Sequence, residues 1–248
     1  MGKFLLVLSD VIISFMWVWS TALIEVLVHQ KLRIEMEPRA EILEGSLAVV
    51  SMFVLAWLGK ITKGGSYNPL TVLPGAISGS FSGFLFTMAV RIPSQVIGSL
   101  IGVQTIIDRH PEVGHGHYHL KVDIHRGALT EGILTFTMVM VYLGAAKSDP
   151  NNVDFESQNP LILCRALAFS IMTRNRTFIL LNVALSPAMA WAYAQGDPIT
   201  KEHLLVYWLA PLEATLLGVW TFKLLVPPQK PQKQRKEEKA EEKRVKSE

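Results

Sequence analysis

Lys63-Gly64-Gly65-Ser66-Tyr67-Asn68-Pro69-Leu70 stands between two long apolar blocks, and its reading decides the fold. The block before it covers about Ile42–Ile61 and the block after it about Phe84–Ile107. A helix needs roughly 20 mostly apolar residues to cross the hydrocarbon core of a bilayer, and both blocks reach that length. Between two crossings, glycines followed by Asn-Pro describe a loop that opens a helix. Proline fits the first helical turn, where its missing N–H costs nothing. The asparagine before it can cap that turn with its side chain and still present a polar group. The expectation is a short helix starting at Pro69 inside the loop.

Further spans appear on either side: about Phe4–Val28, about Ala128–Ala146, a weaker one near Leu161–Met172, and about His203–Val226, which Pro227-Pro228 ends. Half of the chain is apolar and 18% is charged, below the usual share for a soluble protein of this size. The charges crowd into Lys31–Glu44, Asp108–Arg126, Lys147–Glu156 and the segment after Val226. So many spans exclude a lone signal peptide ahead of a soluble domain. With Cys164 as the single cysteine, neither an intrachain disulfide nor a cysteine zinc site can form. No nucleophile–base–acid set, phosphate loop or nucleic-acid patch is present, and nothing calls for a cofactor or a metal.

Six spans put both termini on one side, and Lys60, Lys63 and the Lys/Arg-rich tail make that side cytosolic. Residues 227–248 are mainly Pro, Gln, Lys and Glu and cannot bury enough surface to offset chain entropy, so a disordered cytosolic tail is expected. The membrane domain then covers residues 1–226, as two repeats of about 4–107 and 128–226.

The two halves echo each other. Asp10-Val-Ile-Ile-Ser14-Phe15 places an acid, a hydroxyl and an aromatic in the first span, and Glu131-Gly-Ile-Leu-Thr135-Phe136 repeats the pattern in the fourth. Each acid is followed, at nearly the same distance, by a short proline signature: Asn68-Pro69-Leu70 after Asp10, and Ser186-Pro187-Ala188 after Glu131. An odd number of spans per half inverts one half relative to the other, as in many transport proteins whose broken helices meet at the midplane. Two half-helices entering from opposite faces would bring two positive N-termini together there. Acids within spans are costly and face a water-filled path or a satisfied bundle interior. Asp10 and Glu131 are therefore read as buried supports for the half-helices, bonded to their backbone.

These motifs, together with Gln95-x-x-Gly98 and Tyr207-Trp208-Leu209-Ala210-Pro211, resemble the major intrinsic protein (aquaporin) superfamily. Lys63–Leu70, Gly127–Phe136, Trp191-Ala-Tyr-Ala194 and Ile199–Trp208 resemble, more narrowly, the plant small basic intrinsic proteins, in their second subgroup. The resemblance covers about Phe4–Ala146 and Trp191–Val226. It implies an all-α membrane protein: an aquaporin-like bundle of six transmembrane helices with two re-entrant half-helices in an inverted repeat. It further implies a homotetrameric channel in the endoplasmic reticulum membrane, passing water or a small neutral solute. A second reading keeps the fold as a non-conducting membrane scaffold.

Between about Asn159 and Ala190 the family pattern lapses. A histidine is expected in the fifth span, where this chain has Arg165, Arg174 and Arg176. The second pore motif reads Asn182-Val-Ala-Leu-Ser186-Pro-Ala188, so either Ser186 replaces the second asparagine or Asn182 is that asparagine without its proline. Pro187 can open a helix and Val183 has no such advantage, which favours Ser186. Counted as in the family, the filter position of the second span is Ala48. The position after the second motif, arginine in water-selective relatives, is Met189. Both suggest a wider, less selective constriction.

Plainer readings fit the remaining motifs. His115, His117 and His119, with His110 and His125 nearby, are expected in a solvated loop, because alternate spacing without a completing acid or cysteine makes a poor metal set. Asn175-Arg176-Thr177 is a sequon too close to the membrane for regular use. Gly75, Gly79, Gly83, Gly98 and Gly102 most simply permit close helix packing.

Overall fold

A computed structural model of the protein describes residues 2–34, 38–111, 123–148, 187–193 and 204–226. The fifth span, Ser186, the Asn175 sequon, His115, His117, His119 and the 227–248 tail lie outside the described residues. Among the described residues, five helices are long and apolar enough to cross a membrane. They are α1 (Lys3–Lys31), α2 (Pro38–Ile61), α4 (Phe81–Arg109), α5 (Ile124–Ser148) and α7 (Leu204–Leu225). Two short helices complete the described architecture, α3 (Pro69–Ser78) and α6 (Pro187–Tyr193). No strand occurs among the described residues. The architecture is that of an all-α, multi-pass membrane protein.

The long helices are built inside out. Along α1, Phe4, Leu5, Leu8, Ile12 and Met16 are exposed, while Ser9, Asp10 and Ser14 are buried. The apolar stripe lies on the outside of the bundle, and the polar stripe turns inward, where neighbouring helices can satisfy it.

Two helices widen into a π turn just before a proline. In α4 the π turn covers Thr87–Arg91 ahead of Pro93, and α7 opens with Leu204–Leu209 ahead of Pro211. A proline removes one rung of the helical ladder and its ring clashes with the carbonyl four residues earlier. In both helices that carbonyl, of Ala89 or Tyr207, lies inside the wider turn, which makes room for the ring.

The contacts display the repeat. A Cβ on Gly102 would fall 2.9 Å from Val18 Cβ and 3.4 Å from Phe15 O. A Cβ on Gly218 would fall 2.9 Å from Val139 Cγ1 and 3.6 Å from Phe136 O. Val18 and Phe15 stand to Asp10 as Val139 and Phe136 stand to Glu131. The same glycine-to-valine closure thus joins α4 to α1 in one half and α7 to α5 in the other.

Each half-helix packs against the last long helix of the opposite half: α3 on α7, and α6 on α4. The two half-helices also touch each other. Around them Ile13, Trp17, Met52, Leu55, Tyr67, Met189 and Val206 form the main buried cluster, and Val139, Leu143 and Val219 form a smaller one under α3.

Candidate functional site

The loop Thr62–Asn68 descends from α2 to the start of α3 by a path its sequence enforces. Gly64 has φ of 115°, a left-handed conformation that glycine adopts without a Cβ penalty. At Gly65 a Cβ would lie 2.6 Å from Thr62 Oγ1, 2.8 Å from Ile13 Cδ1 and 2.9 Å from Ser9 Cβ, so only glycine lets the loop press against α1. Tyr67 then stacks on Trp17, with ring centroids 4.5 Å apart and planes inclined by 22°.

At the end of this path Asn68 caps α3. Its Oδ1 accepts the Leu70 amide at 2.9 Å, and Pro69 occupies the first turn. Thr71 Oγ1 donates to Asn68 O at 2.7 Å, and Ser66 Oγ lies 2.6 Å from Thr71 Oγ1. The Asn68 amide reaches Ser66 Oγ at 3.3 Å. Asn68 is buried, and its side chain is fixed by its own helix end before any solute arrives.

Asp10 reaches the loop from α1. Its Oδ1 accepts the Ser66 amide at 2.8 Å. Arg91 on α4 closes on the same carboxylate, Nε donating to Oδ2 at 2.8 Å and Nη2 donating to Oδ1 at 3.1 Å. Nη2 also donates to Gly64 O. Both side chains are almost fully buried, at 4% and 0% relative exposure. The sequence reading placed Asp10 near the half-helix and overlooked Arg91. The signal was available: Arg91 is the sole charged residue in the block Phe84–Ile107, and a lone charge within a span requires a partner.

In the second half, Glu131 and Thr135 are buried on α5 at positions matching Asp10 and Ser14. Pro187, Ala188 and Met189 are buried at the start of α6. Ala48 is half-buried on α2. Ser186, expected opposite Asn68, lies outside the described residues.

The glycines divide into two sets. Gly98 and Gly102 close the α1–α4 contact as expected; a Cβ on Gly98 would fall 2.2 Å from Val11 O. Gly75, Gly79 and Gly83 instead line a cavity of about 200 Å³, together with Thr71, Thr87, Arg91 and Tyr142. Expecting close packing there was incorrect, because α3 and the start of α4 turn their small faces toward this space. Among the described residues, no group of three or more His, Cys, Asp or Glu is placed to hold a metal ion.

The chain has known relatives over nearly its whole length. The chain is 45% identical over 229 residues to the probable aquaporin SIP2-1 of Arabidopsis thaliana, covering 92% of this chain and 94% of that protein. It is 42% identical over 227 residues to aquaporin SIP2-1 of Oryza sativa subsp. japonica, covering 91% and 89% of the two chains. Aquaporin SIP1-2 of Zea mays is more distant, at 30% identity over 236 residues, covering 90% of this chain and 94% of that protein. No family model matches the chain.

Proposed function

The chain belongs to the aquaporin family, among its small basic intrinsic proteins, and from that premise we propose a passive channel for water or a small neutral solute. Aquaporins are channels and not enzymes, so the residues around Asn68 serve passage and not reaction. The pore is centred on Asn68-Pro69-Leu70 and on Ser186-Pro187-Ala188, with Asn68 as the main polar contact and Ser186 the weaker partner. Ala48 and Met189 border the constriction. Asp10 and Glu131 support the half-helices from behind.

One observation carries this reading: a half-helix capped by a buried Asn68 touches a second half-helix from the opposite repeat. Two helix N-termini then aim positive ends at one region of the bilayer. Such ends repel protons and cations while polar caps orient water, the general basis of selectivity in aquaporin-type pores. With Oδ1 engaged by Leu70, Asn68 meets a passing solute through its Nδ2 donor.

The pore domain covers residues 1–226, and residues 227–248 form a cytosolic tail. Lysines at 60 and 63 and the basic tail support cytosolic termini. The resemblance to the second small basic subgroup supports a homotetramer in the endoplasmic reticulum membrane. Stopped-flow osmotic shrinkage of proteoliposomes tests the proposal. Shrinkage faster than that of empty vesicles, for water or for a small neutral solute, is the expected result. Folded protein that speeds neither would favour the non-conducting scaffold, which Ser186 in place of the second pore asparagine and the atypical fifth span make a reading worth testing.

A further inference from the structure

We propose that Arg91 is the positioning residue of the first pore half-helix, holding the approach loop and the Asp10 carboxylate in one rigid unit. The inference deepens the channel reading, on which its consequence for conduction rests, but the arrangement itself can be tested without any flux.

Three separate pieces of chain converge on one guanidinium. Asp10 belongs to α1, Gly64 to the loop, and Arg91 to the π turn of α4. A planar fork with several donors can bind both carboxylate oxygens and a carbonyl at once, whereas a lysine ammonium offers a point charge on a flexible stem. The π turn is what brings this side chain inward at a helix position just ahead of Pro93. From Asp10 the order passes on by short steps. Its Oδ1 holds the Ser66 amide, Ser66 Oγ contacts Thr71 and the Asn68 amide, and Thr71 holds Asn68 O. Arg91 is thus two residues removed from the pore asparagine, through Asp10 and Ser66.

Charge gives the pair a second consequence. A bare carboxylate just behind the N-terminus of α3 would offset the positive end of that helix. With Arg91 on both of its oxygens, the Asp10 group adds no net charge there, and the field at Asn68 remains that of the helix. In the second repeat Tyr207 stands to Gly218 as Arg91 stands to Gly102, and it too is buried.

Hydrogen–deuterium exchange on the full chain in lipid vesicles, comparing wild type with Arg91→Gln and Arg91→Lys, decides the matter. Peptides across residues 62–71 should exchange about tenfold faster in Arg91→Gln, with Arg91→Lys in between, while peptides within 43–61 and 92–109 keep wild-type rates. Wild-type exchange of the loop in Arg91→Gln overturns the proposal, as does acceleration shared equally by the long helices. Should Arg91→Gln fail to fold, the same criteria apply to Arg91→Lys, which keeps a cation beside Asp10 and loses only the fork. Osmotic permeability of the same wild-type vesicles reports separately on the channel reading, so a silent pore and a misassigned Arg91 are distinguishable.

Discussion

Asn68 Oδ1 accepts the Leu70 amide at 2.9 Å, so the residue that opens the first half-helix also caps it. Asn68→Ala removes the acceptor and should cost about 1 kcal/mol of stability, while Asn68→Ser, which can still cap, should cost less. Thermal denaturation of the two variants in detergent checks the order. Equal stability for Asn68→Ala and wild type would mean the cap contributes nothing.

The two contrasting glycines of the long helices give opposite expectations. Gly98→Ala drives a Cβ to within 2.2 Å of Val11 O, a backbone atom that can move only if α1 and α4 part. The cost should reach at least the roughly 1–3 kcal/mol typical of overpacking and should lower the yield of folded protein. Among the described residues Gly132→Ala meets nothing closer than Ala210 O at 3.9 Å, and should be neutral or stabilising by about 0.5–1 kcal/mol, as alanine is in a helix interior. Parallel melting curves separate the two.

Trp17 is fully buried and stacks on Tyr67, the neighbour of Asn68. Trp17→Ala should lose about 3–5 kcal/mol, as large aromatic truncations in packed interiors do. Because the stack also holds the loop, osmotic permeability per folded channel should fall with it. A variant that keeps both its melting temperature and its permeability would show the stack to be incidental.

Ala48 is the small residue assigned to the constriction. Ala48→Phe should reduce flux of a solute such as glycerol several-fold more than flux of water, because added bulk excludes the larger molecule first. The ratio of the two permeabilities, measured in one vesicle preparation, is the readout. A ratio unchanged from wild type would remove Ala48 from the filter.

Much of this architecture is legible in the sequence. Long apolar blocks report crossings directly, because length and hydropathy are all that a bilayer demands, and the five described spans match their expected bounds within a few residues. The opening of α3 is legible too, since Asn-Pro is a local signal with a local cause. What escaped was long-range: Arg91 lies far from Asp10 in sequence, and no periodicity links them. The cavity lined by Gly75, Gly79 and Gly83 escaped for a related reason, because a small residue permits both close contact and open space, and only the neighbouring helix decides which. The π turns were likewise invisible as such, although Pro93 and Pro211 each marked where a regular ladder had to give way.

The most direct test of the central claim is stopped-flow osmotic shrinkage of proteoliposomes carrying wild type or Asn68→Asp at equal amounts of folded protein. Aspartate keeps the acceptor for the Leu70 amide, so α3 stays capped, but it exchanges the Nδ2 donor for negative charge. The account predicts wild-type shrinkage several-fold faster than empty vesicles, and Asn68→Asp close to the empty rate. Equal, fast shrinkage for both proteins would contradict a pore centred on Asn68.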